Sequence, residues 1–249
     1  MSNPAPLLLV ISAPSGGGKT TLCHQLLANN PNITRAITCT TRPPRPGEKD
    51  GVDYYFLDAE TFLKRVQAGH FLEHATVYGH SYGTLKSEIL EKLRSGKDVF
   101  LSVDVQGVAS ICERASADPE LKEALVTVFL TPASIGELEA RLRKRNSDSE
   151  EVIQTRLGKA REEIAQWPHF QYLIISTSID EDLRRMQARL ENLRRSVEAR
   201  FDEVLQHLVG ARARRRQVDV RGVLRRRFVE AGHHRRFREI HLAHRLAEV

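Results

Sequence analysis

The chain has 249 residues, 41% of them hydrophobic and 28% charged, a composition that suits one large soluble domain with inserted segments. Its formal net charge of +6 is unevenly spread: residues 211–249 hold twelve Arg and no Lys against four acidic residues, net +8, so the other 210 residues carry −2 and give a nucleic-acid interface in the body no electrostatic support. Three scattered cysteines, the absence of any run near 18 apolar residues, and the start MSNPAP argue against disulfides, structural zinc, a membrane span and a secretory signal, and point to a cytoplasmic protein with reduced thiols.

In chain order, the apolar run Leu7–Ile11 predicts a buried strand ending near Ala13. It breaks at Ala13-Pro14-Ser15-Gly16-Gly17-Gly18. Lys19, Thr20 and Thr21 follow, then Leu22, Leu26 and Leu27 at helical spacing. Strand, glycine turn, Lys-Thr and helix is the layout of a phosphate-binding P-loop. Glycines that adopt positive φ turn backbone N–H groups into a concave anion site, and the helix dipole adds to it. Residues 13–21 are therefore the expected site for a nucleotide's phosphates. Lys19 reaches for the β- and γ-phosphates, and Thr20 offers its hydroxyl to Mg²⁺. Ala13 stands where the motif has its first glycine, so this residue must sit at negative φ.

Further strands are expected at Ala36–Thr41, Tyr54–Leu57, Val99–Asp104, Leu125–Leu130 and Tyr172–Ser176. Helices are expected at Thr20–Ala28, Ala59–Ala68 and Leu85–Arg94, the last stopped by Ser95-Gly96. Three apolar stripes predict more: Ile135/Leu138/Leu142, Ile153/Leu157/Ala160/Ile164, and Leu183/Met186/Leu190/Leu193/Val197. Alternating strands and helices predict an α/β domain with a mostly parallel sheet flanked by helices. Residues 37–90, rich in Arg, Pro, Gly, Tyr and Glu, and the charged helical residues 134–165 read as insertions, where a second substrate and a closing lid would be built.

Four blocks beyond the P-loop carry a resemblance: CTTRPPRPGEKDGVDYYFLD (39–58), FLEHATVYGHSYGT (71–84), VDVQGV (103–108) and ARLRKRNSDSEEVIQTRL (140–157). In order and spacing, from about Leu7 to about Leu193, the chain closely resembles the guanylate kinases. The resemblance implies a P-loop kinase fold that transfers the γ-phosphoryl of ATP to GMP or dGMP with Mg²⁺, in nucleotide metabolism. It implies a domain over 5–209, with core segments 5–36, 91–133 and 166–209, a GMP-binding insertion at 37–90 and a lid at 134–165.

By that resemblance Arg42, Arg45, Tyr54 and Tyr82 hold the GMP phosphate, and the chemistry suits them: guanidinium forks grip phosphate bidentately and phenols add neutral donors. Glu73 would read guanine, whose N1–H and N2–H₂ donors face one carboxylate side by side, whereas adenine offers an acceptor there. Thr38 and Thr84 match small hydroxyl positions near the base, and Asp104 a carboxylate near the nucleotide and the metal's water shell. Arg141, Arg145 and Arg156 match the lid arginines, which neutralise charge in phosphoryl transfer; with Lys19 and Arg42 they form the expected catalytic set. No general base is required, because the attacking phosphate oxygen is already anionic.

Ser102, Asn146 and Ser176 depart from the residues common in the family. The remaining histidines show no ligand spacing, and Cys39 reads as a packing residue.

Two other readings stand beside this one. A related kinase acting on a ribose phosphate would have no use for Glu73. An inactive guanylate-kinase-like interaction module would not be expected to keep Gly18-Lys19-Thr20 and the lid arginines. The Arg-rich tail, 210–249, lies beyond the resemblance. It reads as disordered or weakly helical, with nonspecific affinity for anionic partners such as RNA or lipid; a reading frame that has run past its natural end would leave the same composition.

Overall fold

The computed structural model describes residues 5–144 and 149–193. Strand β1 (Leu8–Ser12) is buried along its whole length, as a strand covered on both faces must be. Its alternate residues feed two cores. Leu9 and Ile11 pack with Leu22, Cys23 and Leu26 of α1 (Lys19–Asn29) and with Met186 and Leu190 of α8 (residues 179–193), the last helix among the described residues. Leu8 and Val10 pack with Ile89 and Leu93 of α3 (Lys86–Arg94) and with Val108 and Ile111 of α4 (Val105–Ser116).

The sheet that β1 centres has the order β2-β7-β1-β8-β9, with β2 (Ile33–Arg35), β7 (Asp98–Ser102), β8 (Leu125–Pro132) and β9 (Tyr172–Ser176). Every pairing in it is parallel. The short helix α5 (Pro119–Ala124) leads into β8, capped by Asp118. This is the parallel α/β architecture expected. Ligand sites in such sheets lie beyond the carboxyl ends of the strands, which is where the P-loop, Asp104 and Ser176 sit.

A second sheet, β4-β3-β6-β5, is built from β3 (Cys39–Thr40), β4 (Tyr55–Phe56), β5 (Phe71–Val77) and β6 (His80–Leu85). Helix α2 (Ala59–Gln67), capped by Asp58, covers one face: Phe62 stacks on Phe71 at 4.5 Å, and Cys39 is fully buried beside them. A bulge falls between Phe71 and Glu73. Bulges re-aim side chains; here Phe71 enters the small core, Leu72 the main core, and Glu73 the candidate site. Helices α6 (Ile135–Lys144) and α7 (Glu150–Ala165) share a separate apolar cluster of Leu138, Leu142, Ile153, Leu157 and Ala160. Arg143 ties them, pairing with Glu139 on its own helix and Glu150 at the start of α7.

Some expectations change. Of the strand expected at Ala36–Thr41 only Cys39–Thr40 (β3) forms; β2 (Ile33–Arg35), which was not expected, ends just before it in the other sheet, and residues 36–38 join the two. There the Ala36 N–H donates to Phe100 and the Ile37 N–H to Glu88, which steers the chain from one sheet to the other. Helix α3 begins at Lys86 because Leu85 still pairs with Phe71. Strand β7 ends at Ser102, so Asp104 caps α4 rather than ending a strand. Arg145, Asn146, Val197 and the tail 210–249 lie outside the described residues.

Candidate active site

The P-loop forms as its composition demands. Gly16 and Gly18 have φ of 89° and 92°, and among described non-glycine residues only Tyr78 has positive φ, so Ala13 sits at negative φ as required. Gly17 is needed for a different reason: a Cβ there would lie 2.9 Å from the Pro14 carbonyl, which accepts the Gly17 N–H. Thr20 and Thr21 are exposed on the first turn of α1. Lys19 Nζ donates to the Val103 carbonyl at 3.1 Å, just past β7. Burial lowers its pKa, and Cys23, Asp104 and Glu163 oppose that shift.

On the second sheet, residues two apart on a strand share a face. Tyr82 and Thr84 of β6 are such a pair, and Glu73 is the register partner of Thr84. Glu73 and Thr84 are both buried, and the Thr84 hydroxyl donates to Glu73 Oε1 at 2.6 Å. Burial raises the Glu73 pKa; the Thr84 bond works against this and the charge of Asp104 adds to it.

Beyond Tyr82, Arg42 is 8% exposed and lies over the Tyr54 ring at 5.0 Å, and Tyr54 meets Tyr82 edge-on at 6.3 Å. Arg42 donates through both terminal nitrogens to Glu48, and through Nη1 to the Pro43 carbonyl. Glu48 also accepts the Arg45 backbone N–H. The Arg42 bonds, then that N–H, hold the Glu48 pKa down at about 2. Arg45 itself is exposed. Thr38 is half-buried just before β3, its carbonyl accepting from Tyr55.

Among the described residues, clefts open on and near the P-loop. One, of about 500 Å³, is lined by Asp104, Val105, Gln106, Lys159 and Glu163 among others. Asp104 caps α4 through the Gly107 N–H at 2.7 Å. Glu163 reaches across from α7 to accept the Ser15 N–H at 3.4 Å. A second cleft, of about 460 Å³, is lined by Gly16, Gly18, Thr21, Arg141, Ser176 and Asp182 among others. Arg141 Nη1 donates to the Ser176 hydroxyl at 3.1 Å. Lys144 lines this cleft too. Arg156 is half-buried on α7.

The structure thus groups Arg42, Tyr54 and Tyr82, pairs Glu73 with Thr84, and sets Lys19, Asp104 and Arg141 around the P-loop. Sequence reading missed Glu48, Glu163 and Asp182. Each is an acidic residue in a charged segment, and nothing local marks it. Oxygen donors fit a divalent cation arriving with nucleotide phosphates: the Thr20 hydroxyl and the exposed Asp104 carboxylate are hard ligands, and a cation that keeps several waters needs few from protein.

Residues 6–193 match the family model described as guanylate kinase. Among curated proteins, the chain is 42% identical over 206 residues to a guanylate kinase of Paramagnetospirillum magneticum, covering 82% of this chain and 94% of that protein. It is 41% identical over 209 residues to one of Hahella chejuensis, covering 83% and 97%. Among solved structures it is similar to guanylate kinase from Anaplasma phagocytophilum, with a TM-score of 0.57 and 32% identity over 77% of this chain and 88% of that one.

Proposed function

The chain belongs to the guanylate kinase family and is an enzyme of that class, and from this premise we propose how its residues divide the ATP-dependent phosphorylation of GMP, and that dGMP serves as well. The observation that carries the reading is the buried Glu73–Thr84 pair on the face that also presents Tyr82, next to the Arg42–Tyr54 cluster. An acceptor and a phosphate grip on one sheet suit a guanine nucleotide. Neither Glu73 nor Thr84 touches the sugar 2′ position in this scheme, which favours acceptance of dGMP.

In this reading residues 37–90 bind GMP: Arg42, Arg45, Tyr54 and Tyr82 take its phosphate, while Glu73, Thr84 and Thr38 take the base. Residues 13–21 cradle the ATP phosphates, with Lys19 on the β- and γ-phosphates. Thr20 would hold Mg²⁺, with Asp104 serving its water shell and the GMP side. The ion, bound with ATP, supplies charge neutralisation at the phosphates. Arg141, Arg145 and Arg156, from the lid 134–165, neutralise charge on the moving phosphoryl group and exclude water that would compete with GMP. Catalysis is positioning plus electrostatics.

Cys23 and Cys39 are buried free thiols whose pKa burial raises to about 11. Unpaired, unreactive thiols suit a reducing cytoplasm, where the enzyme would recycle GMP. Among the described residues no helix is long and apolar enough to cross a membrane.

The test is coupled measurement of ADP release with GMP, dGMP, AMP, UMP and ribose 5-phosphate as acceptors. GMP and dGMP should be used well and the others very poorly. Preference for ribose 5-phosphate would favour a sugar-phosphate kinase, and inactivity with every acceptor would favour an interaction module.

A further inference from the structure

Strand β9 ends at Ser176, in register with Pro132 of β8. Two residues on, Ser178 caps α8: its carbonyl accepts the Asp182 N–H at 2.9 Å and its hydroxyl the Glu181 N–H at 3.3 Å. Asp182 therefore lies in the first turn of α8, yet its carboxylate does not point to water. It is 4% exposed and folds back on the strand end. Oδ1 accepts the Thr177 N–H at 3.1 Å, and Oδ2 accepts the Ser176 hydroxyl at 2.6 Å.

The direction of the second bond matters. An ionised carboxylate only accepts, so the Ser176 proton points at Asp182. The lone pairs of Ser176 Oγ then face the other way, toward Arg141 Nη1 at 3.1 Å. The guanidinium is thus held at the end of β9 through a hydroxyl polarised by a buried negative charge. It lies beside the P-loop: a Cβ on Gly18 would be 3.8 Å from Arg141 Nη1. The competing arrangement for Arg141 is a surface pair with Glu137 one turn back, and that contact is long, at 4.0 Å. A two-step chain fixes a long, flexible side chain better than one exposed ion pair, which contributes little.

We propose that Asp182 and Ser176 are positioning residues for phosphoryl transfer. Asp182 orients the Ser176 hydroxyl, and Ser176 holds the Arg141 guanidinium over the P-loop, where it meets the ATP phosphates. Neither residue needs to touch the reacting atoms. The inference rests on the reading of Arg141 as a phosphate-neutralising residue. It adds that the residue's placement is set from β9 and α8 rather than from its own helix.

A double-mutant cycle tests it. Ser176→Ala, Asp182→Asn, Arg141→Ala and Arg141→Ala/Ser176→Ala are compared in steady-state kinetics with both substrates varied, each variant checked by thermal melting. Ser176→Ala removes the hydroxyl link, leaving only the long contact of Arg141 Nη2 to the Ser176 carbonyl at 3.5 Å, and does not touch the Thr177 contact, so it guards against misfolding of Asp182→Asn. We expect Arg141→Ala to lower kcat/KM for ATP about 10²-fold. Ser176→Ala and Asp182→Asn should each lower it about tenfold, with KM for GMP nearly unchanged. In the Arg141→Ala background, Ser176→Ala should add no further loss, since coupled groups are not additive. A full tenfold loss retained in that background, or no loss in the single variants, would overturn the relay while leaving the Arg141 reading intact. Full activity in Arg141→Ala would overturn that reading and the relay with it.

Discussion

Arg42 and Glu48 form a two-pronged pair, Nη1 to Oε2 at 2.7 Å and Nη2 to Oε1 at 2.6 Å, with the second Nη1 proton on the Pro43 carbonyl. A guanidinium has five N–H donors. These bonds leave the edge formed by Nε and the second Nη2 proton, and the Tyr82 side chain also bonds the guanidinium; in the proposed reading the GMP phosphate is taken on that edge. On that reading Glu48 is thus an orienting group behind the phosphate grip of Arg42. Glu48→Ala should raise KM for GMP about tenfold or more, with a smaller change in kcat, as expected when a positioning hydrogen bond to a charged group is lost. An unchanged KM in initial-rate kinetics would show that Arg42 keeps its place without Glu48.

The same pair has a pH signature. The Glu48 pKa is depressed to about 2 from an ordinary 4.5, first by the Arg42 bonds. A depressed carboxylate contributes its stabilisation above the unfolded pKa and loses it as pH falls through the folded one. The pair should therefore persist at every pH above about 4.5 and dissolve toward pH 2. Titration of GMP affinity between pH 5 and 8 should show no step from Glu48; a step abolished by Glu48→Gln would contradict this.

Glu73 behaves oppositely. Burial raises its pKa, so the ionised carboxylate, the form that the proposed contact with guanine calls for, is costly in the folded protein. A raised carboxylate pKa lowers stability as pH rises from the unfolded value through the folded one. Glu73→Gln removes that cost, so its Tm should equal or exceed that of the parent at pH 8, and the difference should shrink toward pH 4. A Tm well below the parent at pH 8 would mean that Glu73 is structural.

Gly83 is a packing prediction. A Cβ there would lie 2.8 Å from Phe71 Cδ1 and 2.9 Å from the Glu73 carbonyl. Gly83→Ala must push β5 and β6 apart, at a cost of about 1–3 kcal/mol. Chemical denaturation should show that loss, with a raised KM for GMP because Glu73 moves with its strand. Wild-type stability would refute the close approach.

Legibility followed locality. The unit β1–P-loop–α1 could be read because a strand buried on both faces is a continuous apolar run and the glycines follow at once. The hairpin of β5 and β6 was visible as a motif but not as strands. Its two-residue turn is Tyr78-Gly79, both at positive φ, where the usual signal is Asn-Gly or Asp-Gly. Helix α4 was missed because Val105-Gln106-Gly107 opens it with a β-branched residue and a glycine, though Asp104 caps it. Glu48, Glu163 and Asp182 gain meaning only from partners 6 to 148 residues away, or from a fold-back within one turn.

The tail offers a separate test. The family match ends at residue 193, and every proposed substrate contact lies before it. Truncation after Val209 should leave GMP kinase activity within about threefold, as expected when no site residue is touched. RNA or anionic-lipid binding by the full chain should appear at low salt and fade as salt rises. Loss of activity on truncation, or RNA binding that survives high salt, would assign the tail a dedicated role.

The central claim is that a buried carboxylate at Glu73 chooses the base while Lys19 and the arginines serve the phosphates. The most direct measurement is the ratio of kcat/KM for GMP to that for AMP, in the parent and in Glu73→Gln, with Lys19→Ala as the phosphate-side control. The parent should prefer GMP strongly, and Glu73→Gln should lose roughly 10²-fold or more toward GMP, because a buried donor then faces a donor. Lys19→Ala should lower kcat by at least about 10²-fold without lowering Tm. A parent that uses AMP as well as GMP, or a Glu73→Gln variant that keeps its preference, would contradict the account.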